Sequence, residues 1–150
     1  MLVRHAVAVA RRKWDGPDDL RPLTKRGRRQ AEGLVELLSP FGAQTVLSSP
    51  NLRCTATVQP LARHCGLAVE GREELCEGED ESAAALVYEA PGEAVVVCTH
   101  GDVIPEVLSA VAERDGVALG PEPRWAKGSV WVLYGQDGRF HRASYLAPPA

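Results

Sequence analysis

EAVVVCTH, at residues 93–100, is the clearest strand signal in the chain. Its centre, Val95–Cys98, is apolar without polar alternation, which is typical of a parallel strand that is covered on both faces. The run ends at His100, and a helical pattern, GDVIPEVLSAVAERDG at 101–116, follows at once. A buried strand that passes directly into a helix indicates a central sheet with helices packed against it.

The segments on the N-terminal side repeat this alternation. Short apolar runs predict strands at LVRHA (2–6), AQTVLSS (43–49) and LAVE (67–70). Helices are predicted after Thr24, over PNLRCTATVQPLARHCG (50–66) and in the second half of EGEDESAAALVYEA (77–90). Thr24 is a predicted N-cap; Ser49 is predicted to cap the second helix, with Pro50 as its first residue.

On the C-terminal side, GSVWVLYG (128–135) and RFHRASYL (139–146) flank GQDGR, which predicts an antiparallel hairpin. The complete order of elements predicts an α/β fold, a three-layer sandwich with a largely parallel central sheet. The 150 residues fit a single domain, residues 1–150.

Composition excludes several classes of protein. Hydrophobic residues make up 45% and charged residues 25%, as in soluble globular domains, and no apolar run has the length of a membrane span. The net charge of -3, without a nucleic-acid-binding motif, argues against a nucleic acid polymer as partner. The four cysteines form no CxxC pair, which argues against a zinc site and favours a reducing cytoplasm.

Charged residues collect where the predicted strands end. Arg4 and His5 end the first strand, Arg53 follows the second, and His100 ends the strand at 93–100. Ligands of open α/β sheets bind beyond the carboxyl ends of the strands, so these side chains are expected at one site. Arginine forks bind phosphate oxygens, and a neutral imidazole can attack phosphorus. The set therefore predicts phosphoryl chemistry.

A basic loop follows the first strand closely. Arg11, Arg12 and Lys13 could bind further phosphates of a substrate, and Trp14 could stack on a nucleobase. The alternative is that Trp14 packs against the domain and the three basic side chains are solvated. Both interpretations remain open at the level of the sequence.

At these residues the chain resembles the histidine phosphatase superfamily, also called the phosphoglycerate mutase-like family. The matching motifs are LVRHA (2–6), SSPNLRC (48–54), ELCEG (74–78) and VVVCTHGD (95–102), in the family's order. The resemblance implies His5 as the nucleophile, a phosphohistidine intermediate, and a phosphoryl pocket of Arg4, Arg53 and His100. It implies Glu77 as proton donor, and neither a metal nor another cofactor.

One difference from the family's usual pattern indicates which branch the chain resembles. Ala6 follows the nucleophile where many members have glycine, as is familiar in small SixA-type phosphohistidine phosphatases and in domains appended to MutT-type Nudix hydrolases. The second group is favoured by WDGPDDLRPLT, ELCEG and KGSVWVL. The resemblance therefore implies a nucleotide, another small phosphate ester or a protein phosphohistidine as substrate, and fusion to or association with a Nudix hydrolase as one arrangement.

Three classes of function stay open from the sequence. A phosphatase is favoured over a phosphomutase, because the chain lacks the long insertions of the mutases. A non-catalytic phosphate-binding module is the third class, although both candidate histidines are intact. Glu77 also has an alternative role in a solvated acidic loop, which contains Glu73, Glu74, Glu79, Asp80 and Glu81.

Overall fold

Six strands form one sheet in the computed structural model, which describes residues 1–90 and 92–150. The strands are β1 (Leu2–Arg4), β2 (Thr45–Ser48), β3 (Val69–Gly71), β4 (Val95–Thr99), β5 (Val130–Gln136) and β6 (Arg139–Leu146). The helices are α1 (Lys25–Leu38), α2 (Leu52–Cys65), α3 (Asp80–Glu89) and α4 (Val103–Asp115).

The strand order is β3-β2-β4-β1-β5-β6. The first four strands in this order are parallel, while β5 pairs antiparallel with both β1 and β6. β4 lies between β2 and β1 in the interior of the sheet, which explains its continuous apolar character. In this position it brings the end of β1 beside its own end, with Arg4 opposite Thr99.

Two apolar clusters occupy the two faces of the sheet. Val3, Val96 and Cys98 point toward α1 and α2, which pack against each other. Leu2 and Val97 point the opposite way, toward α3 and α4. Neighbouring residues of a strand alternate between faces, so one strand serves both clusters. The predicted α/β sandwich with a largely parallel sheet is confirmed.

The start of α2 differs from the sequence prediction, which was wrong. The helix begins at Leu52 with Asn51 as N-cap, not at Pro50 with Ser49 as cap. The backbone N–H of Ser49 donates to Cys98 O at 2.9 Å, which extends the pairing of β2 with β4 by one residue. The predicted cap of α1 is confirmed, since Thr24 accepts a 3.0 Å hydrogen bond from the Gly27 N–H.

No helix in the described part of the chain is both long and apolar enough to cross a membrane.

Candidate active site

A cavity of about 470 Å³ opens at the carboxyl ends of β1 and β4. His5 follows β1 and His100 follows β4, and their ring centroids lie 5.6 Å apart at an angle of 67°. A backbone hydrogen bond of 3.1 Å from His5 N to Thr99 O holds the two strand ends together. All five residues predicted to form the catalytic pocket line this cavity: Arg4, His5, Arg53, Glu77 and His100.

His5 is held in a single tautomer. Its Nδ1 lies 2.8 Å from the carbonyl oxygen of Ala6, and a carbonyl can only accept, so Nδ1 carries the proton. Nε2 therefore keeps its lone pair. Burial lowers the pKa of His5 to about 3, and the charges of Arg53 and Arg4 act in the same direction, against the hydrogen bond to Ala6. The ring is neutral at physiological pH and can act as a nucleophile.

Arg4 lies against the backbone of the loop before β5. Its Nη1 donates to Trp125 O at 2.8 Å, while its Nε is buried without a hydrogen-bond partner among the described residues. Gly101 makes room for the guanidinium, because a Cβ at that position would lie 2.6 Å from Arg4 Nη2. The glycine after His100 thus has a steric function in the site.

Arg53 lies on the first turn of α2 and its side chain is completely buried. Its guanidinium donates to the backbone carbonyl of Asp18 at 2.9 Å, to the carboxylate of Asp18 at 3.2 Å, and to Glu77. A buried charge requires such partners. The Nε of Arg53, like that of Arg4, is buried and has no partner among the described residues.

Glu77 connects three elements of the site. Its carboxylate accepts two hydrogen bonds of 3.1 Å from Arg11, contacts Arg53, and lies 3.5 Å from Nδ1 of His100. Partial burial works to raise the pKa of Glu77, but the hydrogen bond from Arg11 and the charges of Arg11 and Arg53 hold it below its usual value. The carboxylate is therefore ionised at neutral pH.

Two residues of the site were missed from the sequence. Ser49 Oγ lies 2.8 Å from Nε2 of His100, and Cys54 Sγ lies 3.6 Å from the same atom. The sequence pattern predicts Ser49 as a helix cap and places Cys54 within a predicted helix. Both lie within SSPNLRC, the motif that also contains Arg53. Membership of this motif was the feature of the sequence that could have identified them as site residues. They fix the imidazole of His100 from the side of α2.

The structure separates the four residues of the basic loop. Arg11 lines the cavity, but Arg12, Lys13 and Trp14 do not. Trp14 is half-buried and its indole N–H donates to Pro17 O at 2.8 Å. Binding of substrate by this loop stays a prediction.

Two further basic residues, neither of them a predicted site residue, also line the cavity. Arg21 is nearly buried and donates to Val9 O and Asp18 Oδ1, whereas Lys127 is exposed.

Within residues 1–90 and 92–150, no group of three or more His, Cys, Asp or Glu is arranged to hold a metal ion.

Comparison with known proteins agrees with this geometry. Residues 1–84 match the family model described as histidine phosphatase superfamily (branch 1). A curated relative from Mycolicibacterium smegmatis, named 8-oxo-(d)GTP phosphatase, is 38% identical over 156 residues, which covers 99% of this chain and 48% of the relative. The chain thus spans about half the length of this relative.

Two solved structures share the fold. The protein histidine phosphatase SixA complexed with tungstate superposes with a TM-score of 0.75 at 18% identity, covering 98% of this chain and 93% of the other. A protein described as "Putative Phosphohistidine Phosphatase SixA from Nakamurella multipartitia" gives a TM-score of 0.76 at 23% identity, with coverage of 99% and 96%.

Proposed function

The chain belongs to the histidine phosphatase superfamily, and we propose that it is a phosphatase that acts through a phosphohistidine on Nε2 of His5. The observation that carries the proposal is the combination of a free Nε2 lone pair with two arginines whose Nε–H groups have no acceptor among residues 1–90 and 92–150. Leaving a buried donor unpaired costs about 1–3 kcal/mol, and a bound oxyanion would supply the missing acceptors.

In the first step, the lone pair of His5 Nε2 attacks the phosphorus atom and a P–N bond forms. The bond between phosphorus and the leaving group breaks, and the leaving group keeps the electron pair. Arg4 and Arg53 stabilise the charge on the equatorial oxygens, and His100 completes the pocket. The hydrogen bond from Nδ1 to Ala6 O stabilises the charge that develops on the imidazole.

In the second step, a water molecule attacks the phosphohistidine. The new P–O bond forms as the P–N bond breaks, the electron pair returns to Nε2, and the proton lost by water passes to the carboxylate of Glu77 or to solvent. Inorganic phosphate leaves and His5 is again neutral, as its low pKa requires. The carboxylate of Glu77 is ionised beforehand and can accept that proton.

The ionised state of Glu77 bears on the first step as well. A proton donor for an alcohol leaving group must be protonated when the P–O bond breaks, and the contacts with Arg11 and Arg53 oppose this. Substrates whose leaving group is stable as an anion need little protonation. This favours phosphoanhydrides over simple alkyl phosphates.

We propose a small phosphorylated molecule as substrate, with a nucleotide as the first candidate. The relative named 8-oxo-(d)GTP phosphatase supports this class, since its match covers 99% of the chain. A protein phosphohistidine is the second candidate, supported by the fold shared with SixA proteins. His5, Arg4, Arg53 and His100 are the proposed catalytic residues in either case, and no metal has a role.

Three further assignments belong to the same proposal. Residues 1–150 form one catalytic domain, which is supported by the single sheet. A reducing cytoplasm is supported by the four cysteines, which are all free. A Nudix hydrolase fused to or associated with this domain is compatible with a relative about twice as long.

The deciding experiment measures phosphate release from p-nitrophenyl phosphate by the wild type, His5→Ala and His141→Ala. His141 is an exposed histidine on β6, so its loss controls for the substitution itself. We expect turnover by the wild type and His141→Ala, in buffer with EDTA as well as without it, and none by His5→Ala. Full turnover by His5→Ala would refute the proposal.

A further inference from the structure

We infer that Lys127 binds a second anionic group of the substrate, beside the phosphoryl group that His5 attacks, so that the preferred substrates carry two adjacent phosphates. This inference rests on the proposed function and specifies its substrate class. It assigns a role to the first residue of KGSVWVL, a residue that was not among the predicted site residues.

The segment that carries Lys127 is fixed to the end of β1. The backbone N–H of Gly128 donates to the carbonyl oxygens of both Arg4 and His5, each at 3.1 Å. Arg4 in turn donates from its side chain to Trp125 O at 2.8 Å. Trp125 and Gly128, which lie on either side of Lys127 in the sequence, are therefore hydrogen-bonded to Arg4 and His5.

A buried glutamine holds the backbone of Lys127 itself. Gln30, on α1, is 1% exposed; its Oε1 accepts from Val7 N at 3.0 Å and its Nε2 donates to Lys127 O at 3.2 Å. Gly128 has φ of +84°, and a Cβ there would lie 3.1 Å from the Gln30 amide carbon. A buried amide and a glycine thus give Lys127 a defined place at the cavity.

Lys127 differs from most of the basic residues around it. Five line the cavity, and three of them, Arg11, Arg21 and Arg53, contact Asp18 or Glu77. The Lys127 ammonium has no hydrogen bond or ion pair with any residue that the structure describes. Partial burial lowers the pKa of Lys127, and the charges of Arg4 and Arg21 act in the same direction. An anion from outside the protein is the missing partner.

Lys127 lies closer to the opening of the cavity than the residues of the phosphoryl pocket. His5, Arg53 and His100 are 7%, 0% and 2% exposed, so the transferred group is bound at the base. Lys127 is exposed and lies at the rim. A substrate that fills both levels needs a second negative group next to the first, as in nucleoside diphosphates and triphosphates. A phosphohistidine on a protein has no such second phosphate.

The test compares two ligands that are not hydrolysed, methylenediphosphonate and methylphosphonate, by calorimetry on the wild type, Lys127→Ala and Lys25→Ala. Lys25 is an exposed lysine on α1 outside the cavity, so its variant removes the same charge elsewhere. We expect Lys127→Ala to weaken diphosphonate binding about tenfold or more, since a charge-assisted hydrogen bond is lost. Methylphosphonate binding should change less than about threefold.

The corresponding kinetic arm measures kcat/KM for GDP and for p-nitrophenyl phosphate. Lys127→Ala should reduce the value for GDP selectively, mainly through KM, with Lys25→Ala unchanged. Equal losses on both substrates would place Lys127 on the transferred group and overturn the inference. So would binding of the diphosphonate that is unaffected by Lys127→Ala, or a wild type that hydrolyses p-nitrophenyl phosphate but not GDP. Failure of the proposed function is distinguishable, because it appears as turnover that does not depend on His5.

Discussion

The carbonyl oxygen of Ala6 lies 2.8 Å from Nδ1 of His5 and so determines which nitrogen of the ring is free. The contact joins neighbouring residues, and it depends on where the chain goes after β1. The N–H of Ala6 donates to Thr57 Oγ1 at 2.9 Å, and Thr57 Oγ1 donates to Arg53 O at 2.7 Å. The orientation of the nucleophile is thereby linked to the helix that carries Arg53.

The first prediction is the position of the covalent phosphate. We expect it on Nε2 of His5, because Nδ1 is occupied by its proton and by Ala6. Enzyme quenched at alkaline pH during turnover should carry one acid-labile phosphate, located by ³¹P–¹H–¹⁵N NMR spectroscopy. Phosphate on Nδ1 would contradict the assigned tautomer.

The second prediction concerns the arginine pair. Arg4→Ala and Arg53→Lys should each reduce kcat/KM about 100- to 1,000-fold, the loss typical of one removed oxyanion donor. Lysine should rescue poorly, because it lacks the planar fork that contacts Asp18 and Glu77 together. Thermal melting should accompany the kinetics for Arg53→Lys, since its side chain is fully buried. Near-normal rates in a folded Arg53→Lys variant would mean that positive charge alone suffices.

The third prediction tests Glu77 through the leaving group. If Glu77 donates a proton, Glu77→Gln should slow phenyl phosphate about 100-fold and p-nitrophenyl phosphate much less. Because the pKa of Glu77 lies below its usual value, the wild-type rate on phenyl phosphate should rise as the pH falls. The glutamine variant should lose this slope. Equal losses on both esters would contradict proton donation by Glu77 and leave it as the acceptor of the proton from water and as the partner of Arg11 and Arg53.

The fourth prediction is a pH dependence of stability. His5 has a pKa of about 3 in the folded protein and about 6.5 when unfolded, so unfolding takes up a proton between these values. Stability from this group is complete above pH 6.5 and falls as the pH drops toward 3. From pH 7 to pH 5 the loss should be about 2 kcal/mol. Urea unfolding of the wild type and His5→Gln measures it, and parallel losses in both proteins would exclude His5 as the cause.

The fifth prediction addresses the close approach of Arg4 to Gly101. Gly101→Ala places a Cβ 2.6 Å from the Arg4 guanidinium, which must shift. We expect kcat/KM to fall about 100-fold with little change in melting temperature, since misplacement by about 1 Å has this effect. Gly71→Ala is the control, because its nearest neighbour would be 3.7 Å away. A fully active Gly101→Ala variant would show that Arg4 does not need its present position.

Sequence patterns predicted the sheet well, because continuous apolar runs such as Val95–Cys98 have few alternatives in an α/β chain. They also indicated which side chains end their strands. They failed where a side chain has two competing partners. Serine is favoured at helix N-caps. In this chain, however, the N–H of Ser49 completes the pairing with β4 and its hydroxyl contacts His100. Lys127 could not be found from sequence, since its place depends on Gln30, 97 residues away.

The position of β4 between β2 and β1 also determines when the protein can acquire activity. Four of the five residues predicted to form the catalytic pocket are synthesised by residue 77, but β1 and β2 are not joined until residues 95–99 pair with both. Contacts between segments so distant in sequence form late and slowly during folding. A chain that ended before residue 95 would contain His5, Arg4 and Arg53, but it would lack the strand that holds them next to each other. Activity therefore requires synthesis beyond residue 99, because β4 is the strand that holds β1 and β2 in one sheet.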